Sequence, residues 1–369
     1  MADLVALDLP GGPQFVAELE RAWESGDAVL PVDQRLPADA KRDLVRQMGA
    51  GRIVTSDDRT ALGDGRPVEP GDAAVVATSG STGRPKGVVL THDAIAASAA
   101  ATSGRLGVTP ADHWLACLPL SHVGGLSVVF RALHAGTALT VQPAFDPEAV
   151  ESSGATLVSL VGTALGRVDP TRFRTIVLGG SRPPAERPAN AVATYGMTET
   201  GSGVVYDRLP LDGVEMRIVD DEVQLRCPML LRCYRDGVDP RTSGGWYPTG
   251  DVGDIDDDGL LSVSGRRGDL IITGGENVWP EPAEAVLRTH PDVADVAVIG
   301  VDDVEWGQVV TALVVAEPGR PAPTLESLRD HVKIELPAFF APRRVVFCAQ
   351  LPRTTLGKLR RSDLARLDR

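Results

Sequence analysis

Between Val75 and Leu178 the chain carries a series of short, almost wholly apolar runs, separated by stretches long enough to be helices. Val75-Val-Ala-Thr78 and Val88-Val-Leu90 come first, and runs at 114–118, 137–141, 157–161 and 175–178 follow. A helix-like segment at 123–134 lies among them, and Thr91-His-Asp93 reads as the cap of a helix starting at Ala94. Apolar runs of this length without alternation suit strands buried on both faces, and strands alternating with helices build a layered α/β body. Composition agrees: aromatic residues are 4%, so Val, Leu, Ile and Ala must fill the core. Hydrophobic residues at 43% and charged residues at 24% are ordinary globular usage, which excludes wholesale disorder.

The texture changes at Val214. Short strands with turn signals are expected at 215–219, 222–225, 250–255 and 260–265, a β-rich segment closing the first domain. Beyond it, a strand, a helix at 282–289, strands at 293–301 and 309–316, a helix at 325–335 and a strand at 344–349 fit a small α+β unit. A chain of 369 residues exceeds what one core usually holds, so domains of 1–267 and 268–369 are expected.

The charge balance of 37 Lys plus Arg against 50 Asp plus Glu, net -13, repels a phosphate backbone and argues against nucleic acid as partner. Four scattered cysteines, Cys117, Cys227, Cys233 and Cys348, form neither a disulfide framework nor a metal-spaced pair; they read as reduced and mostly buried. The start of the chain lacks a basic and then apolar leader, and no stretch reaches membrane-spanning length, so a cytoplasmic location is expected. The sequence leaves a homodimer open.

Thr78-Ser-Gly-Ser-Thr-Gly-Arg-Pro-Lys-Gly87 packs hydroxyls, three glycines and a lysine between two apolar runs. Backbone amides of Thr78, Ser79, Gly80, Ser81, Thr82 and Gly83 can approach a polyphosphate closely, and Lys86 adds a point charge. The spacing is not that of a Walker A loop, because no glycine immediately precedes Lys86 and no Ser or Thr follows it.

Four further motifs follow in order: Tyr195-Gly-Met-Thr-Glu199, Tyr247-Pro-Thr-Gly-Asp251, Gly265-Arg-Arg-Gly-Asp269 and Pro352-Arg-Thr-Thr-Leu-Gly-Lys358. Together with the first loop they resemble the adenylate-forming superfamily of acyl-CoA synthetases, peptide-synthetase adenylation domains and luciferases. That resemblance implies a large N-terminal α/β domain with a mobile C-terminal α+β lid, and activation of a carboxylic acid by ATP, Mg²⁺ and then coenzyme A. It gives Thr198 a phosphate contact, Glu199 the metal, Gly179, Gly180, Ser181, Tyr195 and Gly196 the adenine wall, Asp251 the ribose, and Arg266 the ribose and phosphate. Lys358 becomes the catalytic cation bridging the attacking carboxylate and the α-phosphate. Gly268 falls at the hinge, and Gly274, Gly275, Glu276 and Asn277 form the loop that enters for thioester formation.

The residue types suit this chemistry. A carboxylate carbon is a poor electrophile until AMP replaces oxide as its leaving group, so the enzyme must hold an oxygen against the α-phosphate and neutralise the developing charge. Mg²⁺ is commonly held by one or two carboxylates plus phosphate oxygens, which one Glu satisfies.

Leu118-Pro-Leu-Ser-His-Val-Gly-Gly-Leu-Ser-Val-Val-Phe-Arg131 is most similar to the corresponding stretch of o-succinylbenzoate–CoA ligases of menaquinone biosynthesis. The short run of chain before the phosphate loop resembles compact actinobacterial members. His122 stands between acyl pocket and nucleotide, or serves as a satisfied structural histidine. Arg131, on an otherwise apolar helix, needs an anion if it is buried, and the second carboxylate of a dicarboxylic acid would supply one; otherwise it snorkels to solvent. Other aryl- or acyl-CoA ligases and free-standing adenylation domains that load a carrier protein share every other motif.

Overall fold

The first 61 residues form a βαβαβ unit followed by one more strand, an arrangement with no counterpart among the elements expected above. The computed structural model describes residues 2–79, 85–184, 186–353 and 359–367. Its opening elements are β1 (Leu4–Leu7), α1 (Pro13–Glu24), β2 (Ala28–Pro31), α2 (Ala38–Met48), β3 (Arg52–Val54) and β4 (Arg59–Ala61). Strands of three or four residues carry too little pattern to be recognised singly. Pairing explains them: β1 lies parallel between β2 and β3, with Leu4 opposite Ala28 and Val5 opposite Arg52.

The next elements are β5 (Asp72–Ser79), β6 (Pro85–Thr91), α3 (His92–Leu106), β7 (His113–Ala116), α4 (Val123–Ala135), β8 (Ala138–Val141), α5 (Pro147–Glu151), β9 (Leu157–Val161), α6 (Gly162–Leu165), β10 (Thr175–Gly179), β11 (Ala191–Met197), β12 (Ser202–Tyr206) and β13 (Leu209–Pro210). Then come β14 (Glu215–Val219), β15 (Glu222–Arg226), β16 (Cys233–Tyr234), β17 (Tyr247–Ile255) and β18 (Leu261–Arg266). Helix α3 starts two residues earlier than expected, because Thr91 itself is the cap, its hydroxyl accepting from the Ala94 amide.

Two seven-stranded sheets organise this body, in orders β16-β6-β5-β2-β1-β3-β4 and β13-β12-β11-β10-β9-β7-β8. The second is parallel from β8 to β11 and turns antiparallel at β12. Strands β7, β9 and β10 are almost fully buried, as continuous apolar runs require. Helix α4 packs over β7 and β9. It buries Leu126, Val128, Val129 and Phe130, each contributing about 1.5–3 kcal/mol relative to exposure. Strands β14, β15, β17 and β18 form a four-stranded sheet in the order β14-β15-β17-β18.

The C-terminal elements are β19 (Ile271–Thr273), β20 (Glu276–Val278), α7 (Pro280–Leu287), β21 (Val293–Asp303), β22 (Gly307–Ala316), α8 (Leu325–Glu335), β23 (Arg344–Phe347) and α9 (Arg361–Leu364). The strands form a five-stranded sheet in which β22 pairs with β19, β21 and β23. One face packs Val286, Leu287, Leu328 and Val332 of α7 and α8. The other packs Ala297 and Leu313 beneath Leu351 and Leu364. The layered α/β body and the smaller α+β unit are the architecture anticipated. The chain divides into two compact units, Met1–Arg217 with Gln224–Tyr247 and Asp257–Leu261, and Ile218–Val223 with Pro248–Asp256 and Ser262–Arg369.

Candidate active site

The flanks of the phosphate motif are the antiparallel strands β5 and β6, with Thr78 opposite Lys86. Thr78 Oγ1 donates to the Lys86 carbonyl at 3.4 Å. Gly80, Ser81, Thr82 and Gly83 lie outside the described residues, and of Ser79 only the backbone is described.

Strand β16 pairs with the far side of β6, placing Tyr234 opposite Val88 and so on the same face as Lys86, two residues away. The Lys86 ammonium lies 4.9 Å from the centre of the Tyr234 ring. At the other end of that ring the Tyr234 hydroxyl donates to Glu199 Oε1 at 2.9 Å. Burial pushes the Tyr234 phenol up to about 12; a hydrogen bond with Tyr247 pulls it down, and the Glu199 charge pushes it further up. It is therefore a protonated donor near neutral pH. Tyr234 was not singled out from the sequence; only the β6–β16 pairing reveals it.

Thr198 and Glu199 form one turn of 3-10 helix ending at Thr200. Thr200 is fully buried, and its hydroxyl accepts from the Met197 amide while reaching the Ser202 carbonyl at 2.7 Å. Just before the turn, β11 is bulged between Tyr195 and Gly196. A Cβ at Gly196 would fall 2.2 Å from the Ser202 carbonyl oxygen, so only glycine allows β12 this close. Gly179 ends the neighbouring parallel strand β10, whose Leu178 pairs with Ala193 of β11, and Gly180 and Ser181 follow it directly. Tyr195, Gly196 and the Gly-Gly-Ser segment thus share the carboxyl ends of two adjacent parallel strands, where open α/β sheets bind ligands.

His122 and Arg131 frame α4. His122 is its N-cap residue, with Nε2 3.4 Å from an Arg35 nitrogen and 3.8 Å from Asp33 Oδ2. Burial pushes the Asp33 carboxyl up, but hydrogen bonds and charge from Arg35 outweigh it and leave the group at about 2. Arg131 does not snorkel; it is 3% exposed. Its guanidinium lies 5.6 Å from the Trp114 ring centre, and one terminal nitrogen reaches Ser159 Oγ at a long 3.5 Å. Its Nε is buried without a hydrogen-bond partner, and no described carboxylate pairs with it. Arg131 lines a small pocket with Ser127 of α4, Ile95, Ser98 and Ala99 of α3, and Gly201, which follows the Thr198–Thr200 turn.

Asp251 and Arg266 meet on β17 and β18: Arg266 Nε lies 2.7 Å from Asp251 Oδ1 and its terminal nitrogen donates to the Thr249 carbonyl. Gly268 sits exposed in a 3-10 turn at Arg267–Asp269, where a Cβ would meet nothing within 4 Å. Gly274 and Gly275 are the two-residue turn of the β19–β20 hairpin, both with positive φ of 59° and 84°. A Cβ on Gly274 would also press within 2.8 Å of the Trp306 ring. This turn geometry demands glycine by itself. Glu276 and Asn277 lie exposed on β20. Lys358 lies outside the described residues.

No cluster of three metal-ligating side chains occurs among the described residues. A single half-buried carboxylate, Glu199, whose Oε1 accepts from Tyr234, suits a cation held mostly by ligand oxygens rather than by a protein cage. No helix among the described residues is long and apolar enough to cross a membrane.

Residues 61–229 match the family of AMP-binding enzymes, and residues 283–358 match the AMP-binding enzyme C-terminal domain. The chain belongs to the AMP-binding enzyme family, and its class is that of the AMP-forming acid–thiol ligases. Within that class it is 40% identical to a probable 2-succinylbenzoate–CoA ligase of Mycobacterium tuberculosis (strain CDC 1551 / Oshkosh), over 83% of this chain and 87% of the relative. It also superposes on the o-succinylbenzoate CoA synthetase of Bacillus subtilis in complex with the acyl-adenylate intermediate, with TM-score 0.87 and 28% identity over 98% of this chain and 88% of the other. The same synthetase in complex with ATP and magnesium ion gives TM-score 0.86 at 28% identity, covering 98% and 89%.

Proposed function

We propose that the protein is an ATP-dependent o-succinylbenzoate–CoA ligase. A carboxylate oxygen of the acid attacks the α-phosphate of ATP, forming acyl-AMP and releasing pyrophosphate. The thiol of coenzyme A then attacks the acyl carbonyl, loses its proton and displaces AMP. Lys86 and the backbone of residues 78–83 hold the phosphates, Thr198 donates to one of them, and Glu199 holds Mg²⁺, which neutralises phosphate charge when bound. Tyr195, Gly196 and residues 179–181 form the adenine wall, and Asp251 with Arg266 takes the ribose. Lys358 bridges the attacking carboxylate and the α-phosphate, where a cation stabilises the transition state more than the ground state. Gly268 is the hinge between residues 1–267 and 268–369, and Gly274, Gly275, Glu276 and Asn277 are the thioester loop. His122 closes the acyl pocket.

One observation carries the choice of acid: Arg131 is buried, lines the pocket next to Gly201, and has no carboxylate partner among the described residues. A buried guanidinium without an anion is costly, and the second carboxylate of o-succinylbenzoate would complete it. The identity to 2-succinylbenzoate–CoA ligases supports this reading. Thioester formation from purified protein with o-succinylbenzoate, ATP, Mg²⁺ and coenzyme A tests it. Activity only with a carrier protein as thiol acceptor would refute it. A cytoplasmic location is supported by four free cysteines, two of them, Cys117 and Cys227, with thiols pushed up by burial to about 12 and about 11. A homodimer is the assembly we propose, to be tested by light scattering.

A further inference from the structure

We infer that Tyr234 is a positioning residue for the reaction, one ring that sets both the phosphate-side cation and the metal-side carboxylate. This rests on the assignment of Glu199 to Mg²⁺ made above. The two ends of the side chain do different things. Its ring face lies under the Lys86 ammonium at 4.9 Å, and its hydroxyl donates to Glu199 Oε1 at 2.9 Å.

The surroundings fix the ring rather than leaving it to chance. Tyr234 is 9% exposed, its backbone is paired with Val88 in the sheet, and the Tyr247 hydroxyl lies 3.5 Å from its own. The Glu199 backbone is held as well, its carbonyl accepting from the Leu231 amide at 2.7 Å on the segment that leads into β16. Both ends of the Tyr234–Glu199 hydrogen bond are thus on ordered backbone. The bond holds one carboxylate oxygen and leaves Oε2, which has no partner among the described residues, for a cation. A group that orients a metal ligand from behind commonly changes metal affinity or activity ten- to hundredfold when removed. A cation over an aromatic face is held at a fixed height without using its hydrogen-bond donors, so Lys86 keeps its three donors for phosphate oxygens.

The two functions separate by substitution. Tyr234→Phe keeps the ring beneath Lys86 and removes the hydroxyl; Tyr234→Leu removes both. Calorimetric titration of the protein with ATP, in Mg²⁺ and again in EDTA, reads binding without turnover. Tyr234→Phe should weaken Mg²⁺-ATP binding about tenfold and leave metal-free ATP binding within twofold, whereas Tyr234→Leu should weaken both. Glu199→Gln is the reference. With Glu199→Gln in place, adding Tyr234→Phe should weaken Mg²⁺-ATP binding no further, because its effect passes through that carboxylate. If Tyr234→Phe leaves Mg²⁺-ATP binding unchanged while Glu199→Gln weakens it, the positioning role is wrong and the metal assignment stands. If Glu199→Gln itself leaves binding unchanged, the metal assignment falls and the inference with it. Equal loss in Mg²⁺ and EDTA for Tyr234→Phe would show a merely structural residue and overturn the proposal.

Discussion

Replacing Arg131 by leucine separates substrate recognition from fold maintenance, because the two roles predict opposite consequences. The guanidinium carries five donors, yet among the described residues it has one long hydrogen bond, 3.5 Å to Ser159 Oγ, and a buried Nε with none. A substrate carboxylate would therefore find unused, desolvated donors, and a hydrogen bond of this charged kind contributes about 1.5–3 kcal/mol. At about 1.4 kcal/mol per factor of ten, Arg131→Leu should raise the Michaelis constant for o-succinylbenzoate roughly ten- to hundredfold. That for ATP should change little. Benzoate analogues lacking the second carboxylate should lose nothing, so the preference for o-succinylbenzoate over them narrows. Initial rates of pyrophosphate release across both acids give these constants directly, and thermal unfolding of the free protein gives the control. If Arg131 serves the substrate, leucine removes an incompletely paired buried charge and the melting temperature should hold. A structural arginine would instead leave a defect among α4, β7 and β9. An unchanged preference between the two acids would refute the substrate role, and a collapse of stability with no kinetic effect would replace it by a packing role.

Lys358→Ala should abolish adenylation while thioester formation from supplied acyl-AMP stays largely intact; equal loss in both half-reactions, followed separately by rapid quench, would count against the lysine's assigned step. Glu199→Gln should weaken Mg²⁺-dependent turnover and Asp251→Ala should weaken ATP binding about tenfold, and steady-state constants in the normal range would withdraw either role. Asp112 gives a stability test. Burial pushes its carboxyl up, but Arg174, the Thr109 amide and Thr156 outweigh that and hold it at about 2 against an ordinary 3.8. Because the folded value is depressed, its contribution of about 2 kcal/mol is fully present above pH 4 and is lost as pH falls through 2. Asp112→Asn should therefore destabilise the protein at neutral pH and flatten the acid limb of a urea-unfolding series between pH 4 and 2; an unaltered acid limb would contradict the assignment.

Much of the fold was legible because pattern and length agreed. Elements β9, β14 and α8 lie where the residue pattern placed them, and α4 is one residue longer. The N-terminal βαβαβ was not read, because the parallel pairing that joins its short strands to β1 and β5 is long-range information that no local motif there announces. The site followed the same division. Motif residues such as Glu199, Asp251 and Arg266 announce themselves in sequence, and the structure brings the last two together as an ion pair. Their supports do not. Tyr234, Trp114 and Ser159 belong to no motif and reach the site only through strand register and helix-on-sheet packing. Family resemblance gives the glycines at 274–275 to the thioester loop, while their positive φ shows that the hairpin turn by itself already requires glycine there.

The central claim, activation of this particular acid by adenylation, is tested most directly by acid-dependent exchange of pyrophosphate into ATP, measured without coenzyme A. With o-succinylbenzoate the purified protein should catalyse rapid, Mg²⁺-dependent exchange, and with benzoate or fatty acids the exchange should be at least tenfold slower at equal concentration, as one lost charged contact requires. Exchange that is as fast with benzoate or a fatty acid would leave the enzyme an AMP-forming ligase of another acid, and release of inorganic phosphate in place of exchange would contradict adenylation itself.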